Sequence, residues 1–315
     1  MLFHKILVTG CGGDIGLAVG RILQETKITD SVVGCDIEED HAGRVFFDRC
    51  FAMERAASPK YRERLIQLVE DEQIDLVIPT SEPELRLLYV NHFFGRRALF
   101  LMANDTALEI GFDKYKTAEF LREHDLPYPW TQRAADGAPQ ELPCILKSRT
   151  GCGSKAVHVL TEETYHEGTV YHEDDIFQEW IAGEEEYTCG LFRSASGEIR
   201  SMILRRKLRG GLTGCGTVEE NPAIEALLTS LAEVLELRGS INVQLRLRYG
   251  VPYVFEINPR FSSTVRFRHQ LGFSDVLWSM QDSVGHGIAA YIPPPKGIHF
   301  YKIYEDVIDW KRTNI

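Results

Sequence analysis

The regular alternation of strand-like and helix-like segments in the N-terminal third of the chain constrains the fold more than any other feature. The strand-like runs are residues 5–10, 31–36, 76–80 and 98–102, and the helix-like segments are residues 14–25 and 61–72. Strands that alternate with helices are joined by helical crossovers, which place neighbouring strands parallel to one another. The sequence therefore predicts a doubly wound α/β lobe built on a parallel sheet.

The pattern changes at residues 125–143, a turn-rich stretch that contains Pro127, Pro129, Pro139 and Pro143. This change in composition predicts a domain boundary. The segments beyond it have the character of antiparallel strands, so the C-terminal part is predicted to be α+β. The predicted strands are residues 144–148, 156–160, 176–181, 186–193, 198–208, 240–248 and 251–257, and the predicted helices are residues 113–123, 222–237 and 274–288.

The charge balance excludes a broad class of partners. A formal net charge of −11 argues against nucleic acid, because proteins that bind polyanions normally carry a dominant basic surface. The sequence also has no apolar run that approaches the roughly 18 residues of a membrane span, and its N-terminus lacks the apolar core of a signal peptide. We therefore expect a soluble cytoplasmic protein with neither a nucleic-acid partner nor a membrane partner.

The cysteines are scattered along the chain rather than grouped. They stand at Cys11, Cys35, Cys50, Cys144, Cys152, Cys189 and Cys215, and none forms a C-x-x-C pair with another. Spacing of this kind predicts reduced cytoplasmic thiols, with neither a disulfide framework nor a zinc site.

A glycine-rich turn at residues 10–16 joins the first predicted strand to the first predicted helix. Such a turn lets a phosphate approach the helix N-terminus, and Asp36 ends the next strand where a dinucleotide enzyme holds a ribose. One alternative is therefore an NAD-dependent sugar-nucleotide epimerase or dehydrogenase. None of the 12 tyrosines has a lysine four residues later, so the catalytic pair typical of short-chain enzymes is missing. We favour a tight turn that packs the helix against the sheet.

Two segments in the middle of the chain have the character of a nucleotide site. Lys147 ends a predicted strand and is followed by a loop with Gly151, Gly153 and Ser154, which could clamp a phosphate through its ammonium group and backbone N–H groups. Further on, residues 177–187 combine an apolar strand with an acidic turn, which could hold adenine and a ribose. Each segment alone is also compatible with an ordinary hairpin.

Polar side chains alternate along two otherwise apolar strands near the C-terminal end. Gln244 lies on one face of the first strand with Asn242, and Glu256 and Asn258 share a face of the second. Polar groups are costly to bury without a function, and hard oxygen ligands on neighbouring strands suit Mg²⁺. Arg260 follows directly and could hold a transferred phosphate. The alternative is a satisfied polar network.

A basic cluster at residues 205–211 stands out in this acidic chain. We expect it to include a catalytic or substrate-binding arginine, with Arg206 and Arg209 as the candidates, although a solvated strand edge has the same composition. Arg266 and Arg268 are further candidates for a contact with an acyl phosphate.

The ordered set of these motifs resembles the ATP-grasp superfamily, in the branch related to the carbamoyl-phosphate synthase large subunit. The residues that carry the resemblance are Lys114, Lys147 with its glycine-rich loop, residues 178–186, Gln244, and the run from Glu256 to Arg260. The resemblance covers nearly the whole chain. It implies a Rossmann-like pre-ATP-grasp domain at residues 1–112, an ATP-grasp small lobe at residues 113–187 and a large lobe at residues 188–315.

The resemblance also implies a role for each residue of the set. By this likeness Lys114, Lys147, Gly151, Gly153 and Ser154 contact the ATP phosphates, Glu179 and Ile181 form the adenine hinge, Glu186 holds the ribose, and Gln244, Glu256 and Asn258 bind one or two Mg²⁺ ions, for which Mn²⁺ can substitute. Glutamine at position 244, where many relatives have a carboxylate, matches the carbamoyl-phosphate branch.

The function implied is that of an ADP-forming carboxylate–amine ligase. Such an enzyme phosphorylates a small-molecule carboxylate with ATP and passes the acyl group to an amine or ammonia. A nucleotide-binding protein without catalysis is the third alternative. The expected oligomeric state is a homodimer, the commonest assembly of soluble proteins.

Overall fold

The computed structural model describes residues 2–90, 97–151, 157–166, 168–183, 185–303 and 305–310. The β-strands are β1 (Phe3–Thr9), β2 (Thr29–Asp36), β3 (Arg49–Ala52), β4 (Leu76–Ile78), β5 (Leu99–Phe100), β6 (Thr131–Arg133), β7 (Cys144–Ser148), β8 (His158–Leu160), β9 (Asp175–Glu179), β10 (Glu186–Arg193), β11 (Ile199–Arg209), β12 (Leu212–Glu219), β13 (Gly239–Arg248), β14 (Val251–Asn258) and β15 (His299–Tyr301). The α-helices are α1 (Asp14–Thr26), α2 (Tyr61–Asp71), α3 (Glu82–Val90), α4 (Asp105–Gly111), α5 (Lys114–Glu123), α6 (Pro222–Val234), α7 (Val265–Gln270) and α8 (Asp275–Ser283). Short 3₁₀ turns occupy Ala42–Phe46 and Ala134–Asp136.

The N-terminal sheet is parallel and doubly wound, as the alternating pattern predicts. Its strand order is β3-β2-β1-β4-β5, and every neighbouring pair is parallel. Successive residues of β1 point to opposite faces, so Ile6 packs in the same core as Ile22 of α1, whereas Leu7 packs in the same core as Leu65 of α2. Helices cover both faces of the sheet, which confirms the predicted α/β architecture.

Two antiparallel sheets make up the rest of the fold. One has the order β6-β9-β7-β8 and the other the order β14-β13-β10-β11-β12-β15. In the larger sheet Cys189 and Val243 pack in one core with Leu227 and Leu231 of α6. Because side chains alternate between faces, the residues beside them in sequence point away from α6. That opposite face bears most of the polar residues considered below.

Several elements differ from their prediction. Strand β12 lies in a stretch rich in glycine and threonine, and it forms because β11 and β15 pair with it on its two sides. Strand β6 lies inside the stretch predicted to be a linker, where β9 pairs with it. Helix α8 ends at Ser283 rather than at residue 288. Helices α3, α4 and α7 and strands β3 and β15 were not predicted. The three domain boundaries remain predictions.

None of the helices in the described part of the chain has the length and apolar character needed to cross a bilayer.

Candidate nucleotide and phosphate site

Two lysines and a glutamate from three separate elements meet beside the larger sheet. Lys147 at the end of β7 is buried, and its Nζ donates to the carbonyl oxygen of Phe255 at 3.4 Å. Lys114 begins α5, and its Nζ lies 3.4 Å from Glu256 Oε1 and donates to the carbonyl oxygen of Gly151 at 2.8 Å. The three charged residues are widely separated in sequence, and the fold brings them together.

The two ammonium groups share a poorly solvated position. Burial lowers the pKa of Lys147 to about 8, and the positive charge of Lys114 acts in the same direction, whereas Glu256 opposes both. Two cations with one carboxylate leave an excess of positive charge in a region of low dielectric constant. An anion such as a phosphate would compensate that charge.

Asp113 holds Lys114 in place, a role that was not predicted for this residue. Its carboxylate accepts from the backbone N–H groups of Tyr115 and Lys116 and so caps α5. It also pairs with Arg149, whose Nη2 lies 2.7 Å from Asp113 Oδ2. The backbone N–H of Lys114 donates to the carbonyl oxygen of Arg149 at 3.0 Å. An aspartate immediately before a helical lysine was the signal that could have identified this arrangement.

The oxygen-bearing residues predicted to bind metal lie opposite one another on β13 and β14. Gln244 pairs with Glu256 and Asn242 with Asn258, and a bulge follows Gln244. Asn258 Oδ1 accepts from Arg260 Nη2 at 3.0 Å, while its buried Nδ2 has no hydrogen-bond partner among the described residues. Amide and carboxylate oxygens are the donors that Mg²⁺ prefers, so these side chains fit that ion.

Glu186 is enclosed by two arginines from the neighbouring strands. Arg206 Nη2 on β11 lies 2.5 Å from Glu186 Oε1, and Arg246 Nη2 on β13 lies 3.1 Å from Oε2. Arg206 also donates to Thr213 Oγ1 at 3.2 Å and is buried. Arg246 was not predicted as a site residue, although its even spacing from Gln244 places both side chains on one face of β13.

The predicted hinge residues lie at the end of β9. The backbone N–H of Glu179 donates to the carbonyl oxygen of Trp130 at 2.8 Å. The Glu179 carboxylate pairs with Arg248 and accepts from the backbone N–H of Trp130. Ile181 is buried. Glu179 is therefore held through its backbone by Trp130 and through its carboxylate by Trp130 and Arg248.

Residues 112–264 match the family model described as the ATP-grasp domain. This chain contains an ATP-grasp domain. The match spans the elements that supply Lys114, Lys147, Glu186, Gln244 and Glu256, so the residues that converge in space are the residues that the family model covers.

One curated relative and many solved structures are similar to the chain. The carbamoyl phosphate synthase large chain of Methanothrix thermoacetophila is 22% identical over an alignment of 232 positions, which covers 66% of this chain and 21% of that protein. The chain thus matches about a fifth of the length of the relative.

Among solved structures, N5-carboxyaminoimidazole synthetase from Staphylococcus aureus complexed with ADP has a TM-score of 0.71 and 16% identity, covering 91% of this chain and 78% of that one. The L-amino acid ligase from Bacillus licheniformis has a TM-score of 0.65 and 16% identity, covering 90% and 74%. These likenesses show the shared fold.

The glycine turn ahead of the ATP-grasp domain has a structural explanation. The backbone N–H of Gly12 donates to Asp36 Oδ2 at 2.8 Å, so Asp36 holds the turn. A Cβ at Gly16 would lie 2.1 Å from the carbonyl oxygen of Gly10, so the close packing of α1 requires glycine there. The turn fits the favoured packing interpretation, and the comparisons give no support to the NAD-dependent alternative.

The remaining predicted residues have different outcomes. Gly153 and Ser154 lie outside the described residues. Arg209 is exposed at the end of β11. The prediction for Arg266 and Arg268 is corrected, because Arg266 pairs with Glu25 at 2.8 Å and Arg268 is completely buried against Asp275. Burial and pairing leave neither guanidinium available to a substrate.

A cleft separates the carboxyl edge of the parallel sheet from the ATP-grasp domain. It adjoins Arg260, and the space that it encloses is only about 10 Å³, room for about one water molecule. Pro79 and Ala103 line it from the first lobe, and Ser240 and Ser279 line it from the ATP-grasp side. Ligands of open α/β sheets commonly bind at this edge.

Proposed function

We propose that the chain is an ATP-dependent ligase that phosphorylates a small-molecule carboxylate and transfers the acyl group to an amine or ammonia, with release of ADP and phosphate. The observation that carries this proposal is the convergence of Lys114, Lys147 and Glu256 beside the Gln244–Glu256 strand pair. The solved neighbours include a synthetase complexed with ADP and an L-amino acid ligase, which supports the same class of chemistry.

The first step forms a bond between a carboxylate oxygen of the substrate and the γ-phosphorus of ATP. The bond from that phosphorus to the β,γ-bridging oxygen breaks, and ADP leaves. Catalysis of such a transfer rests on positioning and on compensation of negative charge. Lys114 and Lys147 supply that compensation from fixed positions, while Glu186 and the hinge at Glu179 and Ile181 orient the nucleoside. The backbone of Gly151 contributes to the position of Lys114.

Gln244, Glu256 and Asn258 would hold Mg²⁺. When bound, the ion neutralises charge on the phosphate oxygens. Arg260 lies next to Asn258 and faces the cleft, where its guanidinium can bind a carboxylate or the transferred phosphate. Arg206 is held by Glu186, and we assign it the role of orienting that carboxylate.

In the second step, the nitrogen of the amine or ammonia attacks the acyl carbon, phosphate leaves, and the nitrogen loses a proton. We place the small acid beside Arg260 in the cleft, which must widen to admit it. The substrates are therefore assigned by class, as a small carboxylate and a small nitrogen nucleophile.

The decisive experiment incubates the purified protein with Mg-ATP and pooled small carboxylates, with and without pooled amines, and measures ADP and AMP separately. We expect carboxylate-dependent ADP that is lost in Glu256→Ala and retained in Glu233→Ala, a change at an exposed position of α6. If AMP appears in place of ADP, the enzyme activates the acid by adenylation and does not form an acyl phosphate. Tight Mg-ATP binding without either product for any acid would favour a nucleotide-binding protein and overturn the ligase proposal.

A further inference from the structure

A cluster of soft metal-binding side chains lies in the first lobe, apart from the ATP-grasp domain. Cys11 follows β1, His41 precedes the 3₁₀ turn after β2, and Cys50 lies in β3. Their potential ligand atoms all lie within 4.8 Å of one another. Cys11 is completely buried, whereas His41 and Cys50 are partly exposed, so solvent and ions can reach the group.

Three glycine residues leave the space that the side chains of this cluster occupy. A Cβ at Gly34 would lie 2.7 Å from Cys11 Sγ, and a Cβ at Gly12 would lie 2.7 Å from His41 Cγ. A Cβ at Gly43 would lie 2.9 Å from His41 Nδ1. Side chains at these three positions would displace the thiol or the imidazole. Glycine is therefore needed at each of them for the metal-binding atoms to come together.

The measured separation matches a tetrahedral metal centre. With zinc–sulfur and zinc–nitrogen bonds of about 2.3 Å and 2.05 Å, the sulfur-to-nitrogen edge of a tetrahedron is about 3.6 Å. Cys11 Sγ lies 3.5 Å from His41 Nε2. A tetrahedral sulfur-to-sulfur edge of about 3.8 Å lies inside the 4.8 Å limit that includes Cys50.

We propose that Cys11, His41 and Cys50 bind one Zn²⁺ ion, with water as the fourth ligand. On binding, each thiol transfers its proton to solvent and becomes a thiolate, and the imidazole binds as the neutral base through Nε2. Two thiolates compensate the charge of the ion. Asp36 does not complete the site, because its carboxylate accepts from the backbone N–H groups of Gly12 and Glu38.

This proposal revises the expectation that the chain has no zinc site. That expectation rested on the absence of C-x-x-C spacing, which detects only donors that are close in sequence. Here the parallel register brings the donors together, since β3 pairs with β2 and β2 pairs with β1. The ion would link three parts of the first lobe, which are the segment after β1, the segment after β2, and β3.

The test measures zinc bound per chain by mass spectrometry of the metal content, after incubation with ZnCl₂ and removal of free ions. We expect one ion per chain in the unmodified protein and in Cys215→Ser, whose cysteine lies in β12, and at least a tenfold loss of bound zinc in Cys50→Ser and His41→Ala. Glu256→Ala should retain the ion, which distinguishes this site from the proposed Mg²⁺ site. Co²⁺ in place of zinc should show thiolate-to-metal absorption that disappears in Cys50→Ser.

Three results would overturn the proposal. One is unchanged zinc binding in both Cys50→Ser and His41→Ala. Another is loss of the zinc in Glu256→Ala alone. The third is an intact protein that binds no zinc, whether its thiols all react with an alkylating reagent or its mass shows the loss of two hydrogens that marks a disulfide. Circular dichroism of the variants checks that each one is folded, and none of these results depends on ligase activity.

Discussion

Arg206 and Glu186 form a buried ion pair across two neighbouring strands, with Nη2 2.5 Å from Oε1 and side chains that are 8% and 13% exposed. The residues immediately before them, Arg205 and Glu185, pair at the same distance of 2.5 Å with side chains 41% and 53% exposed. The two pairs therefore have the same length and charge. They differ in solvation and in their further partners, because Glu186 also pairs with Arg246 and Arg205 also pairs with Glu219.

Glu186→Gln is expected to lower the free energy of unfolding by roughly 3–5 kcal/mol, because it leaves Arg206 charged and poorly solvated. Glu185→Gln is the matched control and should cost less than about 1 kcal/mol, as exposed pairs do. Urea denaturation of both variants measures the difference. Equal losses would mean that burial does not govern the strength of these pairs.

Lys114→Ala is expected to weaken Mg-ATP binding about 10- to 100-fold, since a hydrogen bond to a charged group contributes roughly 1.5–3 kcal/mol. Lys116→Ala removes a nearby lysine that pairs with Glu109 at 2.6 Å and serves as the control. Titration calorimetry gives the dissociation constants. A normal affinity in Lys114→Ala would remove this lysine from the phosphate site.

Asp275→Asn is expected to destabilise the fold by roughly 3–5 kcal/mol, because Arg268 would keep its buried charge without a counter-ion. Arg268 Nη2 lies 3.1 Å from Asp275 Oδ2, and both side chains are almost fully excluded from solvent. Glu25→Gln, which breaks the more exposed pair with Arg266, should cost less than about 1 kcal/mol. Denaturant midpoints compare the two, and a loss for Asp275→Asn as small as that of the control would contradict the prediction.

Glu84 is expected to make stability depend on pH. It is buried at the carboxyl edge of the parallel sheet, where it accepts from the hydroxyls of Thr9 and Tyr61. Burial raises its pKa from 4.5 to about 7. Between these values the folded protein keeps a proton that the unfolded chain has released, so the stabilisation from Glu84 is full below pH 4.5 and is lost as pH rises to about 7.

The corresponding experiment compares the unmodified protein with Glu84→Gln by urea denaturation at several pH values. The stability advantage of the unmodified protein should fall by up to about 1.4 kcal/mol per pH unit within that window and change little above it. A difference that stays constant with pH would show that Glu84 has an ordinary pKa.

The sequence alone determined the parallel first lobe and the polar face of β13 and β14. These features follow from local periodicity, because apolar residues at helical or alternate spacing reveal which side of an element is buried. The short turn predicts that the two strands pair, whereas the bulge after Gln244, seen only in the structure, places Gln244 opposite Glu256. The family resemblance identified Lys114 and Lys147 as candidate site residues, because both lie in short sequence motifs.

The tertiary structure alone decided which distant charges meet. Periodicity showed that Arg206 and Arg246 lie on strands, but only the strand order around β10 placed both beside Glu186. Strand β12 escaped prediction because its pairing with β11 and β15 stabilises a sequence of low apolar content. The approach of Cys11, His41 and Cys50 depends on three strands in register and on glycines that leave space. Contacts of this kind join residues far apart in the chain, where no local pattern records them.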